Sequence, residues 1–152
     1  MQAYGRTVTQ LLSTDVAWVA GTSIPGLWPP EHVPPFSPDM DPYLQGVEVD
    51  GRFANVVLGF FVDRYGDRYV MLLDPNHTNG SFPTGSDDSV RGRLRFDFAG
   101  AAGVDPTRVL RLDGRGGRVH SLALEGDALS FEIPAGDVLF LKYDTGRSFA
   151  GY

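Results

Sequence analysis

The stretch Val56-Val57-Leu58-Gly59-Phe60-Phe61-Val62-Asp63-Arg64-Tyr65-Gly66-Asp67-Arg68-Tyr69-Val70-Met71-Leu72-Leu73 decides the fold. Two runs of β-branched, aromatic and aliphatic residues flank Asp63-Arg64-Tyr65-Gly66-Asp67, whose Asp and Gly favour tight turns, so the stretch predicts a β-hairpin. Both runs are apolar on both faces. An antiparallel sheet that met water on one side would read polar there. The outer face of this hairpin therefore needs a cover, from the proline-rich segment, from an N-terminal helix or from a further domain.

Outward from the hairpin, the chain keeps the same grammar. Arg91 to Phe98 alternates, with Leu94, Phe96 and Phe98 on one face and Arg93, Arg95 and Asp97 on the other. Thr107–Leu112, Arg118–Leu124, Ala128–Ile133 and Val138–Tyr143 follow as strands, separated by Asp113-Gly114-Arg115-Gly116 and Pro134-Ala135-Gly136-Asp137 turns. On the N-terminal side, Asp15–Ala20 alternates and places Val16, Trp18 and Ala20 together, which makes Trp18 a core candidate. About eight strands at this spacing predict a single all-β domain, an antiparallel β-sandwich of jelly-roll type. Residues 14–152 are read as the sandwich and residues 1–13 as a linker helix, with Tyr4, Val8, Leu11 and Leu12 on one apolar face of Gln2–Leu12.

Gly21 to Gly46 has no periodicity and holds seven prolines. Proline fixes φ and lacks a donor, so this is read as a long loop laid over a surface or carrying function.

Composition excludes several classes. The 152-residue chain has no cysteine, so disulfides, thiolate metal sites and cysteine nucleophiles are absent. A net charge of −6 argues against nucleic acid as a partner. No apolar run reaches the ~18–20 residues of a spanning helix, and no membrane partner is expected. Residues 1–12 lack a leader pattern, and secretion is expected only if a parent enzyme supplies one.

The succession of segments resembles the C-terminal accessory β-sandwich of multidomain glycoside hydrolases, a domain similar to carbohydrate-binding modules. The likeness begins at Leu11-Leu12-Ser13-Thr14-Asp15-Val16, where a linker helix enters a first strand. It continues in Leu58 to Asp74, which is similar to a G-F-F-x-D-x-x-G-x-x-Y-x-M-x-x-N pattern, with Asp74 where Asn is commoner. It closes on Phe131-Glu132-Ile133-Pro134-Ala135-Gly136-Asp137-Val138-Leu139-Phe140-Leu141, similar to an L-x-P-G-D-x-x-L-F-x-L ending. The resemblance implies a non-catalytic domain that packs on a catalytic barrel and in some enzymes contacts polysaccharide or oligosaccharide. It carries over no catalytic residue.

The residues themselves agree that no catalytic site is expected. Glu31, Glu48, Glu125 and Glu132 form no marked pair of the kind glycoside hydrolysis needs. There is no nucleophile elbow, and Ser121 beside His120 on a strand points to the opposite face. His32, His77 and His120 lack metal-ligand spacing, which leaves a small metal-dependent cupin-like enzyme as an alternative that requires them to converge in space. No cofactor is expected, with calcium the one metal the residues suit: Asp74, Asn76, Asp87 and Asp88 flank one loop and offer hard oxygens, against the ordinary reading that loop Asp and Asn bond their own backbone. For glycan, Trp28 on its proline-stiffened loop is the leading platform, with Phe36, Tyr43 and Tyr65 behind it; the competing reading makes Trp28 a plug for the hairpin's outer face, and makes the whole domain a structural cover for a barrel.

Overall fold

The computed structural model describes residues 2–20, 33–50, 55–74, 89–134 and 137–152. Among these residues one short helix, α1 (Gln2–Val8), precedes nine strands: β1 (Leu12–Ala20), β2 (Leu44–Asp50), β3 (Asn55–Val62), β4 (Arg68–Leu73), β5 (Val90–Phe96), β6 (Arg108–Leu112), β7 (Val119–Ala123), β8 (Ala128–Ile133) and β9 (Val138–Tyr143). A 3₁₀ turn at Pro38–Met40 leads into β2. The strands form a six-stranded sheet in the order β1-β3-β4-β9-β6-β7 and a three-stranded sheet in the order β2-β5-β8. Every strand pair is antiparallel. The fold is all-β and sandwich-like, as the alternation predicts.

The hairpin forms where its sequence places it, with Val57 opposite Leu73 and Val62 opposite Arg68. Its inward residues, Val56, Leu58, Phe60, Val70 and Leu72, pack against Leu44, Val49, Leu94, Phe96, Phe131 and Ile133 from the smaller sheet. Removing this apolar surface from water is the main driving force for closing the sandwich. Gly92 serves the smaller sheet itself: a Cβ there would clash with the Glu48 carbonyl oxygen of β2 and would lie 2.6 Å from the ring of Phe131, its partner on β8.

The outer face of the larger sheet holds a second apolar cluster of Tyr4, Tyr69, Leu112, Phe140 and Phe149. Its cover is α1 together with the C-terminal segment after β9. The helix is one of the covers its sequence suggests; the C-terminal segment is not. Phe149 sits edge-on to Tyr69 and Phe140, at centroid distances of 5.6 and 5.7 Å. Thr7 ties helix to tail by donating to the Ala150 carbonyl at 2.7 Å.

Three local expectations need correction. The helix ends at Val8, and Leu12 belongs to β1 opposite Val62, 69% exposed. Pairing with β3 outcompetes a marginal short helix, which on its own has little stability. Trp18 does not enter the main core. A bulge between Ser13 and Asp15 sets the register so that Ala17 is fully buried with Val19 beside the core, and Trp18 is half-buried on the other face. The third concerns β2, whose start at Leu44 lies inside the stretch read as loop. A bulge between Leu44 and Gly46 breaks the period-2 pattern that would reveal it. The proline-rich segment does lie along a surface where it is described: Trp18 N–H donates to the Pro34 carbonyl and Phe36 N–H to the Trp18 carbonyl, each at 3.0 Å.

Candidate functional site

Three strand ends that are distant in sequence meet at one end of the smaller sheet. β2 begins there with Gln45, the extra residue of its bulge. β5 ends there in Arg95-Phe96 and continues into Asp97-Phe98-Ala99. The Gly126-Asp127 turn leads into β8. Main-chain bonds fix the junction, from Phe96 N–H to the Asp127 carbonyl and from Asp97 N–H to the Tyr43 carbonyl, both at 2.8 Å. Between these ends opens a cleft of about 660 Å³, lined by Gln45, Arg95, Asp97, Phe98, Pro106 and Asp127 among others.

The lining offers an amide, a guanidinium and two carboxylates beside apolar surface. Such a set can donate to and accept from hydroxyl groups. Asp97 already accepts the Ala99 N–H through Oδ1 at 2.8 Å, and Arg95 reaches Glu48 at 3.4 Å with both side chains about half exposed. Asp97 and Asp127 are exposed.

The proposed aromatic platforms do not form one surface. Phe36 is half-buried and stacks on Phe60 at 6.1 Å. Tyr43 is half-buried, edge-on to Tyr143 at 4.8 Å and tilted on Phe98 at 5.4 Å, so it backs the cleft through Phe98. Tyr65, 59% exposed, stands at the β3–β4 turn with the Arg64 and Arg147 guanidiniums over its ring at 4.7 and 5.5 Å. Trp28 lies outside the described residues, as do Asn76, Asp87 and Asp88 of the calcium expectation; Asp74 is half-buried after β4. His32 and His77 also lie outside, and His120 is exposed on β7. Among the described residues no three His, Cys, Asp or Glu side chains group to hold a metal.

Strongly perturbed titratable groups lie elsewhere: the buried Tyr143 donates to Asp41 Oδ2 at 2.6 Å, and burial, then Asp41, push its hydroxyl well up, while a second set lies beneath the hairpin turn. Asp67 (2% exposed) pairs with Lys142 (0%) at 2.9 Å and accepts from Thr145 at 2.7 Å and from Arg147 Nε at 3.0 Å. Burial alone would raise the Asp67 carboxyl, but the Arg147, Thr145 and Lys142 hydrogen bonds outweigh it and hold it well below the usual carboxylate range. Asp63 braces the same turn, accepting from Tyr65 and Asp67 N–H through Oδ1 and from the Tyr69 hydroxyl at 2.9 Å through Oδ2. Burial pushes the Tyr69 hydroxyl up; the Ala150 N–H opposes this and Asp63 adds to it. Perturbed groups often mark active sites. Here the arrangement fastens the C-terminal segment to the sheet.

The cleft escapes sequence reading because its residues come from three separate strand ends. The buried ion pair leaves a trace: Lys142 is the chain's single lysine, and it interrupts the apolar run Val138–Tyr143. A buried lysine demands a carboxylate partner.

Comparison with family models, with curated proteins and with solved structures finds no match for this chain.

Proposed function

We propose that the chain is a non-catalytic accessory β-sandwich of a carbohydrate-active enzyme, holding an uncharged glycan in the cleft formed by Gln45, Arg95, Asp97, Phe98 and Asp127. The observation that supports this most is the cleft itself. It mixes donors and acceptors at the end of a well-paired sheet, with the Arg95 guanidinium, the Gln45 amide and the Asp97 and Asp127 carboxylates side by side. Sugar hydroxyls need such mixed partners, and Phe98 adds an apolar wall. Trp28 remains the second binding element of this reading.

The test is affinity electrophoresis and pull-down on a panel of polysaccharides, with Asp127→Ala and Trp28→Ala in parallel. Retention that weakens by about tenfold in Asp127→Ala, as for loss of a hydrogen bond to a well-ordered group, places the sugar in the cleft. Retention lost only in Trp28→Ala moves the site to the proline-rich segment. No retention on any glycan removes the binding reading.

A structural domain covering the flank of a catalytic barrel is the second reading. Leu12 and Val16, 69% and 41% exposed, leave apolar surface on both faces of the edge strand β1, which a neighbouring domain laid along that edge would cover.

A further inference from the structure

Sheet edges expose unpaired main-chain donors and acceptors, and stable folds protect them with charges, proline or bulges. Three of the four edges here are protected. β1 has a bulge, an exposed Asp15 and the Pro34–Phe36 segment bonded at Trp18. β2 has a bulge with exposed Glu48 and Asp50, and β8 carries exposed Glu132.

The fourth edge, β7, has none of these. Its sequence Val119-His120-Ser121-Leu122-Ala123 contains no proline, no acidic residue and no lysine or arginine. Four of its five residues are exposed, Val119 to 44%. The bonds that bracket its pairing with β6, Leu124 N–H to the Thr107 carbonyl and Asp113 N–H to the Arg118 carbonyl, fix which groups face inward. By the antiparallel alternation, the main-chain groups of His120 and Leu122 face β6, and those of Val119, Ser121 and Ala123 face away from the sheet.

We infer that β7 is a self-association edge, pairing antiparallel with β7 of a second copy across a two-fold axis at Ser121. In this register each outward-facing residue meets another: Val119 meets the second copy's Ala123, and Ser121 meets Ser121. Each such pair exchanges both N–H···O bonds. The flanking charges select the direction. Exposed Arg118 precedes the strand and exposed Glu125 follows it, and neither has an ion-pair partner among the described residues. Antiparallel pairing carries Arg118 to the end where the second copy's Leu124-Glu125 lies. Parallel pairing would set Arg118 against Arg118. The product is a closed dimer with a continuous sheet through both copies, a self-complementary contact of the commonest oligomer symmetry. The β2-β5-β8 cleft lies on the other sheet, so this inference does not depend on the glycan reading.

Sedimentation velocity of the purified chain across a concentration series, up to about 1 mM to capture a weak contact, tests it alongside amide exchange. The expected result is a monomer–dimer equilibrium in which exchange at Val119, Ser121 and Ala123 slows as dimer forms. Ser121→Pro removes an outward N–H that β6 does not use, and proline is tolerated on edges. It raises the dimer dissociation constant by more than about tenfold, because it deletes bonds at the two-fold axis. Val119→Lys, which leaves the backbone intact, weakens the dimer in the same direction and decides the matter if the proline variant does not fold. A chain that stays monomeric throughout the series, or a dimer that neither folded variant weakens, overturns the inference.

Discussion

Leu58 and Phe60 point from β3 into a core made mostly of aliphatic and phenyl side chains supplied by both sheets. Phe61, the next residue, points the other way, onto Phe140 at 6.5 Å in a cluster closed by a short helix and a C-terminal tail. The same hairpin is thus sealed twice by different means. The inner seal is a second sheet, in which each strand's hydrogen bonds are completed by neighbouring strands. The outer seal is made of chain ends, which have no ladder to hold them. Specific polar ties hold them instead: Asp67 to Lys142, Thr145 and Arg147, Tyr69 to Ala150, and Thr7 to Ala150. A layer without regular structure can be closed over an apolar face if buried ions and hydroxyls anchor it; the inner core carries a single comparable tie among the described residues, from the Tyr143 hydroxyl to Asp41 Oδ2 at 2.6 Å.

The largest expected effect breaks the outer seal at its anchor. Asp67→Ala leaves Lys142 buried without its carboxylate and frees Arg147, which should cost about 3–5 kcal/mol, the usual penalty for orphaning a buried charge. Urea unfolding monitored by tryptophan fluorescence and circular dichroism measures it. The wild-type pH dependence follows the same group. The folded carboxyl of Asp67 is held below its unfolded value, so its contribution is complete above the unfolded value of about 3.9 and is lost as pH falls below it. Asp67→Asn should therefore be less stable at neutral pH and show a shallower loss of stability in acid. A variant with the full acid limb would move the anchor to another group.

Leu94→Ala probes the inner seal. Leu94 is fully buried between the sheets, and its truncation should cost about 2–5 kcal/mol through lost transfer energy and a residual cavity. The acid limb should keep its wild-type shape, because no ionised group depends on this side chain. A change in the pH profile would show that the two seals are coupled through the sheet, against the contrast drawn between them.

The two seals also differ in how far they could be read from the sequence. Strands β5 and β8 and their inward residues follow from period-2 alternation, whereas β3, β4 and β9 are read as β-rich apolar runs between turn signals. The need for an outer cover is legible in the doubly apolar hairpin. The tail that helps supply it is not, since Thr145, Arg147 and Phe149 lie in an aperiodic stretch and reach residues some eighty positions away. A bulge hides the start of β2, because one inserted residue inverts the alternation after it; Trp18 does share a face with Val16, as the alternation has it, but it is the outer face. The cleft is hidden for a related reason: Gln45, Arg95 and Asp127 are neighbours only once the three strands are in register. Their residue types are unremarkable singly, whereas the aromatics chosen from sequence are conspicuous by type, and two of them, Phe36 and Tyr43, pack against the core.

The smallest expected effect sharpens the contrast at high pH. Tyr4 lies across Gly114, where a Cβ would come within 2.4 Å of the ring, and its hydroxyl faces Asp137 Oδ1 and the Val138 carbonyl, each at 3.2 Å. Burial, reinforced by the Asp137 carboxylate, pushes its ionisation up to about 12. The unfolded chain ionises tyrosine at about 10. Folding therefore favours the neutral hydroxyl, and this stabilisation is whole below about pH 10 and declines as pH rises toward the folded value. Tyr4→Phe keeps the ring and loses the hydroxyl, so at neutral pH it should cost only about 0.5–1.5 kcal/mol, the worth of an ordinary hydrogen bond. Its stability should fall less steeply than wild type above pH 10, measured by urea midpoints across the alkaline range. Tyr69 and Tyr143, also raised by burial, keep the remainder of the limb in place. An unchanged alkaline slope would mean that the helix lifts off the sheet before Tyr4 ionises, making the outer seal a layer that opens separately from the sandwich beneath it.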